Sequence, residues 1–295
     1  MKSPLEVARW LADRFDEDSL PYALGGALAL AAWSGPRQTV DVDVAVFVGE
    51  DELPRVLGAV ERAGAVVQRE EAERRVAATG MFIAHVGSTR VDVFLATHPV
   101  HQEMGGRRRS VEVGDARMWF LSPEDLAILK LVYGRAKDMI DLERLFAACG
   151  DLDVPYVRSW LERIVPPGDA RLDALNDLAS RFPPPITTRL REAVGGVVDA
   201  LVFARFQELA ADGRAGRHTA DELEQAVREY GRTLVALPEE AWGLVNVYRL
   251  EDGAGVALEV PLWTAEEGRS DLTLSVTLSE RDGVVAIEID DLHVP

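Results

Sequence analysis

Apolar and polar positions in the first 180 or so residues follow two periods in turn. Residues 4–15 set Leu5, Ala8, Trp10, Leu11 and Phe15 near helical spacing, and residues 51–63 do the same with Leu53, Val56, Leu57 and Val60. Between them lie a short apolar run at 22–24 and a stretch at 40–48 that alternates acidic with apolar residues and then runs apolar, as a strand entering a core does. Runs at 81–86 and 90–96, separated by Gly87, Ser88 and Thr89, read as a hairpin. Residues 65–68 are expected as a strand, 69–75 as a solvated loop or short helix, Gly105-Gly106 as a loop, and 110–113 with 117–121 as a strand pair. Ser122-Pro123-Glu124-Asp125 is a helix start: serine caps, proline suits the first turn, and acids favour the positive end of the helix dipole. A helix over 123–133 and a second carrying Ile140, Leu142, Leu145 and Phe146 follow, then helices at 154–164 and 170–182.

After Pro183-Pro184-Pro185 the pattern changes. A long helix is expected at 187–211 and another at 219–230, opened by a capping box of Thr219 and Glu222. Four strands at 242–250, 254–263, 272–279 and 284–289, joined by short turns, predict an antiparallel meander beside these two helices. The expected organisation is therefore an α/β domain with a helical C-terminal portion over 1–182, a proline-rich linker at 183–186, and a smaller α+β domain over 187–295.

Composition narrows the function. With 47% hydrophobic and 28% charged residues in 295, the chain reads as soluble and globular, with no apolar run of membrane-spanning length and no apolar signal core, so a cytoplasmic location and no membrane partner are expected. One cysteine, Cys149, excludes an internal disulfide and a thiolate zinc site, and the five histidines show no pair at helix-ligand spacing. The net charge is −18: residues 1–160 carry 19 basic and 25 acidic residues, residues 161–295 carry 13 and 25. Such a field repels nucleic acid, so no stable DNA binding is expected, and RNA contact requires a local basic patch. Arg107, Arg108 and Arg109 are either a solvated edge or such a patch; His98 and His101 read as ordinary loop residues.

The chemistry concentrates in residues 24–48, LGGALALAAWSGPRQTVDVDVAVFV. Asp41 and Asp43 lie two apart on a strand and so share a face, where two carboxylates repel unless a cation lies between them. Hard oxygen ligands of that kind suit Mg²⁺, which completes its shell with water and substrate phosphates. Gly25 and Gly26 allow close backbone approach at the start of a short Ala- and Leu-rich helix whose free N–H groups face an anion. Asp92, inside the strand RVDVFLA, is costly to bury alone; it pairs with an arginine or faces a metal.

The glycine pair, a short helix, and Arg37-x-Thr39-x-Asp41-x-Asp43 resemble the first motif of the DNA polymerase β-like nucleotidyltransferase superfamily, and AbiEii-type toxin nucleotidyltransferases in particular. The string SPEDLAILKLVYGRAKDMIDLERL resembles the second signature of those enzymes. The resemblance covers somewhat more than half the chain. It implies a polymerase β-like fold, with Asp92 completing a metal triad with Asp41 and Asp43 and two Mg²⁺ ions as cofactors. It further implies Lys130 on the nucleotide phosphates, with Gly25, Gly26, Arg37, Thr39, Arg135 and Lys137 in the nucleotide site. Asp138 and Asp141 either join that site or tie two helices together through ion pairs. The activity implied is transfer of a nucleoside monophosphate from an NTP to an acceptor hydroxyl on tRNA or protein, with a possible antitoxin as partner; an aminoglycoside-type small molecule is the alternative acceptor, and a non-catalytic binding or neutralising module the alternative to an enzyme. Many relatives carry serine beside the glycines where this chain has Ala27. LWTAEEGRSDLTL and IEIDDLHV resemble a bacterial α+β domain of unknown function; Asp290, Asp291 and His293 there are read as a structural or partner-binding edge.

Overall fold

The structure is a computed structural model and describes residues 2–250, 255–281 and 284–294. It divides into two units, Met1–Leu178 and Ala179–Pro295. In the first, Ser3 and Glu6 cap α1 (Pro4–Glu17) reciprocally, and Val7, Leu11 and Phe15 are buried on one face. β1 (Tyr22–Leu24), α2 (Gly26–Ser34), β2 (Asp41–Val46), α3 (Leu53–Arg62) and α4 (Arg69–Thr79) follow. Next come the hairpin of β3 (Met81–Val86) and β4 (Thr89–Leu95), then α5 (Pro99–Arg107) and the hairpin of β5 (Arg109–Val113) and β6 (Ala116–Phe120). Four helices complete the run: α6 (Pro123–Tyr133), α7 (Ala136–Ala148), α8 (Val154–Ile164) and α9 (Ala170–Arg181), the last extending past Leu178.

The six strands form one mixed sheet in the order β3-β4-β2-β1-β6-β5. β2 runs parallel to β4 in a register that sets Asp41 beside Arg90 and Asp43 beside Asp92. Strand alternation then sorts the residues: Val42, Val44 and Val46 with Val91, Val93 and Leu95 are fully buried on one face, while Asp41, Asp43 and Asp92 stand on the other, partly open face.

Two expectations are corrected here, for residues 65–68 and for Gly105-Gly106, and of the loop and short helix held open for residues 69–75 the helix is present. Residues 65–68 form no strand; Val66 makes an isolated bridge to His85. The charged run from Arg69 is a helix through Thr79, held by buried Ala72 and Val76 four residues apart. Gly105 and Gly106 lie within α5, where a Cβ on Gly105 would meet the Phe47 ring at 3.0 Å, so glycine allows helix and strand end to meet closely.

The second unit holds α10 (Thr188–Val202), α11 (Phe206–Ala211), α12 (Ala220–Tyr230), β7 (Leu234–Val235), β8 (Asn246–Arg249), β9 (Gly255–Thr264), β10 (Gly268–Arg281) and β11 (Val284–His293). The strands pair antiparallel in the order β11-β10-β9-β7, with β8 also on β9. Val194, Val197 and Leu201 of α10 share a core with Leu258, Val260, Leu274, Val276 and Ile289. The long helix expected at 187–211 breaks at Ala204, which adopts φ 53°, and the strand expected from residue 242 begins instead after a 3-10 turn, Glu239–Leu244. Ala254, at the start of one expected strand, lies outside the described residues. The capping box at Thr219 and Glu222 is present. Among the described residues no helix is long and apolar enough to cross a membrane.

Candidate active site

The alternation of β2 and its register with β4 bring three carboxylates onto one patch. Burial, and then the charges of Asp41 and Asp92, push the Asp43 carboxyl up to about 6, with Lys130 and Lys137 pulling the other way. Thr39 donates its hydroxyl to Asp41 Oδ1 at 2.7 Å, and Arg90 donates from Nε to Asp92 Oδ1 at 2.7 Å. Asp92 thus has an arginine partner, and the strand register also sets it beside Asp43. Among the described residues no three acidic, histidine or cysteine side chains close into a metal cage. The donor set nonetheless fits a hard divalent cation that takes one or two carboxylates and completes its shell with water and phosphate, and the repulsion raising Asp43 is what such a cation relieves.

Gly25 and Gly26 join this patch to the start of α2. The Gly25 N–H donates to the Asp43 carbonyl at 2.8 Å, and no side chain caps the helix. Gly26 has φ 53°, and a Cβ there would lie 1.8 Å from Asp43 Oδ2. Glycine is therefore required for the Asp43 carboxylate to rest against the helix entry, and the uncapped N–H groups beside it suit an anion.

A cluster of cations and acids lies alongside. Lys130, buried on α6, donates to Asp141 Oδ2 at 2.6 Å and lies 3.6 Å from Asp138 Oδ1. Arg37, on the segment leading into β2, reaches the same Asp141 oxygen at 2.5 Å, and Arg135 chelates Asp138. Burial alone would raise Asp138, but the Arg135 hydrogen bonds and the Lys130 charge outweigh it and hold the carboxyl below its usual range. Lys137 is exposed in the first turn of α7, and its charge acts on Asp43. Arg37, Lys130, Arg135, Asp138 and Asp141 thus form one network beside the carboxylate patch, and it ties α6, α7 and the β2 lead-in together.

A cleft of about 730 Å³, open solvent at its mouth included, starts at Gly25, Gly26, Asp43 and Lys130. It continues along the ends of β2 and β4 toward α5, past Phe47, Phe94, Met104 and Tyr133. His101 lines it too, and is a residue the sequence reading dismissed: it belongs to the first turn of α5, not to a loop. The signal available was His98-Pro99, a helix start that places the residue three positions on in its first turn.

The arginine run finds internal partners. Arg107 and Arg109 approach Glu124 Oε2 at 3.2 and 3.5 Å, Arg107 stacks 3.9 Å over the Tyr156 ring, and Arg108 lies over Trp119. Neither the solvated edge nor the open basic patch describes this run, whose arginines anchor α5, α6 and α8 to one another. In the second unit, Asp290 accepts from the Thr277 hydroxyl, and His293 lies 3.5 Å from Asp291.

A family model described as nucleotidyl transferase AbiEii toxin, type IV TA system, matches residues 7–229. A second, a domain of unknown function (DUF7668), matches residues 198–295. No curated protein matches the chain. Among solved structures it is similar to the antibiotic-resistance factor ANT(2'')-Ia in solution, at 19% identity over 54% of this chain and 90% of that one, with a TM-score of 0.41. It is also similar to the lincosamide antibiotic adenylyltransferase LnuA, at 14% identity over 49% and 98%, TM-score 0.36. An antigenic nucleotidyltransferase-like protein from Paracoccidioides brasiliensis aligns at 15% identity over 61% and 92%, TM-score 0.36. The AbiEii match spans well over half of the sequence and contains every residue of the carboxylate patch and the cation network, and the chain belongs to the AbiEii family of nucleotidyltransferase toxins.

Proposed function

We propose that residues 1–182 transfer a nucleoside monophosphate from an NTP to an acceptor hydroxyl, releasing pyrophosphate, with residues 187–295 as a separate accessory domain. The observation that carries this reading is the seating of Asp43 against the uncapped start of α2, with Asp41 and Asp92 on the same sheet face. Asp41, Asp43 and Asp92 would hold two Mg²⁺ ions, which when bound would lower the pKa of the acceptor hydroxyl and neutralise the triphosphate. Gly25, Gly26 and Lys130 cradle the phosphates, with Arg135 and Lys137 nearby. The acceptor oxygen attacks the α-phosphorus, Asp92 takes its proton, and the bond to pyrophosphate breaks. Thr39 orients Asp41, and Asp141 fixes Lys130 and Arg37. With Ala27 beside the glycines, backbone N–H groups do what a hydroxyl does in relatives.

The family, described as a toxin of a type IV toxin–antitoxin system, supports a toxin role with an antitoxin partner; the acceptor we propose for that role is tRNA or protein. The charge of −18 and the internal pairing of Arg107 and Arg109 limit RNA contact to a short element such as a 3′ end. An aminoglycoside acceptor shares the same chemistry, but a polycation needs free carboxylates, and Asp138 is already chelated. The test is incubation with each NTP labelled at the α-phosphate, Mg²⁺, and total cell RNA and protein, beside an Asp41→Asn, Asp43→Asn variant. Label reaching RNA or protein from the parent alone is expected. No transfer and no Mg²⁺-dependent nucleotide binding would leave a binding module on this scaffold.

A further inference from the structure

From Asp43 the cleft follows β2 to Phe47, four residues or roughly 13 Å. Beyond the carboxylate its walls are largely apolar, with Phe47, Phe94, Met104, Leu126 and Leu129 among them. His101 interrupts those walls with a polar ring. Its Nδ1 accepts a hydrogen bond from the His98 backbone N–H at 3.3 Å. Burial, and then the neighbouring His98, hold the imidazole below its usual pKa, so the ring is neutral at neutral pH. A neutral imidazole that accepts at Nδ1 carries its proton on Nε2. None of the hydrogen bonds among the described residues uses that Nε2–H, and the half-buried ring leaves this donor available to a ligand among largely apolar walls.

On the reading given under Proposed function, the triphosphate occupies the end of the cleft at Gly26, Asp43 and Lys130. The group tethered to its α-phosphate is a nucleoside, whose base has two apolar faces and a polar edge. That chemistry matches aromatic and aliphatic walls with one fixed donor. We infer that the far arm of the cleft is the nucleoside subsite and that His101 is its specificity-determining residue, donating from Nε2 to a carbonyl oxygen or ring nitrogen on the base edge.

The test is calorimetric titration of the full chain with each of the four NTPs and with inorganic triphosphate, all with Mg²⁺. The parent is compared with His101→Phe, which keeps a flat ring without the donor, and His101→Gln, which keeps a donor. The Phe variant should bind its preferred NTP about fivefold more weakly, the worth of one neutral hydrogen bond, and bind inorganic triphosphate as the parent does. It should also discriminate less among the four NTPs, and the Gln variant should recover part of both. Equal weakening toward inorganic triphosphate would assign His101 a structural role and overturn the inference. So would unchanged NTP affinity and unchanged discrimination in the Phe variant, whether or not acceptor KM then rises. A parent that binds no NTP overturns both readings; a parent that binds NTPs, with the Phe variant indistinguishable from it, overturns this one alone.

Discussion

Replacing Gly26 by alanine removes no polar group, so it isolates a steric fit. Gly26 adopts φ 53°, in the left-handed region. An L-residue there costs about 1–2 kcal/mol. The new Cβ would also lie 1.8 Å from Asp43 Oδ2 and 2.7 Å from Asp43 Cγ, so the carboxylate must retreat by well over an ångström to reach ordinary contact. A displacement on the order of 1 Å at a reacting centre costs about a hundredfold in rate. The expectation is a loss of about 1–3 kcal/mol in urea unfolding, with NMP transfer reduced about a hundredfold or more. Gly25→Ala is the matched control: Gly25 has φ −117°, and its Cβ would meet the Leu121 Cδ1 methyl at 3.3 Å and Asp43 Cβ at 3.7 Å. That change should cost less than about 1 kcal/mol and leave transfer within about tenfold of the parent. Gly26→Ala transferring as fast as Gly25→Ala would refute the reasoning.

The Asp43 carboxyl is raised from its ordinary 3.8 to about 6, so the folded state binds its proton more tightly than the unfolded state. Its contribution is present below about pH 4 and lost as pH rises through about 6, reaching a penalty of about 3 kcal/mol above it. Asp43→Asn should therefore raise the thermal midpoint more at about pH 7.5 than at about pH 5, and added Mg²⁺ should do the same for the parent; equal shifts at both pH values would count against the carboxylate cluster. Asp141→Asn leaves buried Lys130 with only the more distant Asp138 and frees Arg37, and should cost about 3 kcal/mol in urea unfolding. Arg107→Ala leaves buried Glu124 with Arg109 alone and strips the stack from Tyr156. It should lower stability by about 2 kcal/mol without changing RNA retention on a filter, whereas weaker retention at unchanged stability would restore the RNA-grip reading.

What could be read from the sequence was local. β2 and α6 announced themselves through period-two alternation and the Ser122-Pro123 cap, because strand pleat and helix ends act over a few residues. α5 escaped because its glycines dilute the helical signal, and the reason for Gly105, the Phe47 ring, is supplied by a distant strand end. The break at Ala204 escaped because no glycine or proline marks it. In the candidate site, the Asp41 and Asp43 pair was legible from spacing, and the parallel register then set Asp92 beside them. Ion pairing of Asp138 and Asp141 between two helices was one of the two readings open from the sequence, but the partners of Arg37 and the arginine run were not legible, since each is fixed by tertiary contact: Asp141 lies 104 residues from Arg37, and Glu124 lies across from α5. His101 shows the same limit, for only the cleft gives its ring a role.

The most direct test of the central claim follows which phosphate moves. The parent and Asp43→Asn are given Mg²⁺, acceptor extract and one NTP, labelled in parallel at the α- or the γ-phosphate. Nucleotidyl transfer at this site leaves α-label on the acceptor and γ-label in pyrophosphate with the parent, and neither with Asp43→Asn. Transfer of the γ-label to the acceptor, or α-label transfer undiminished in Asp43→Asn, would contradict nucleotidyl transfer at this carboxylate patch.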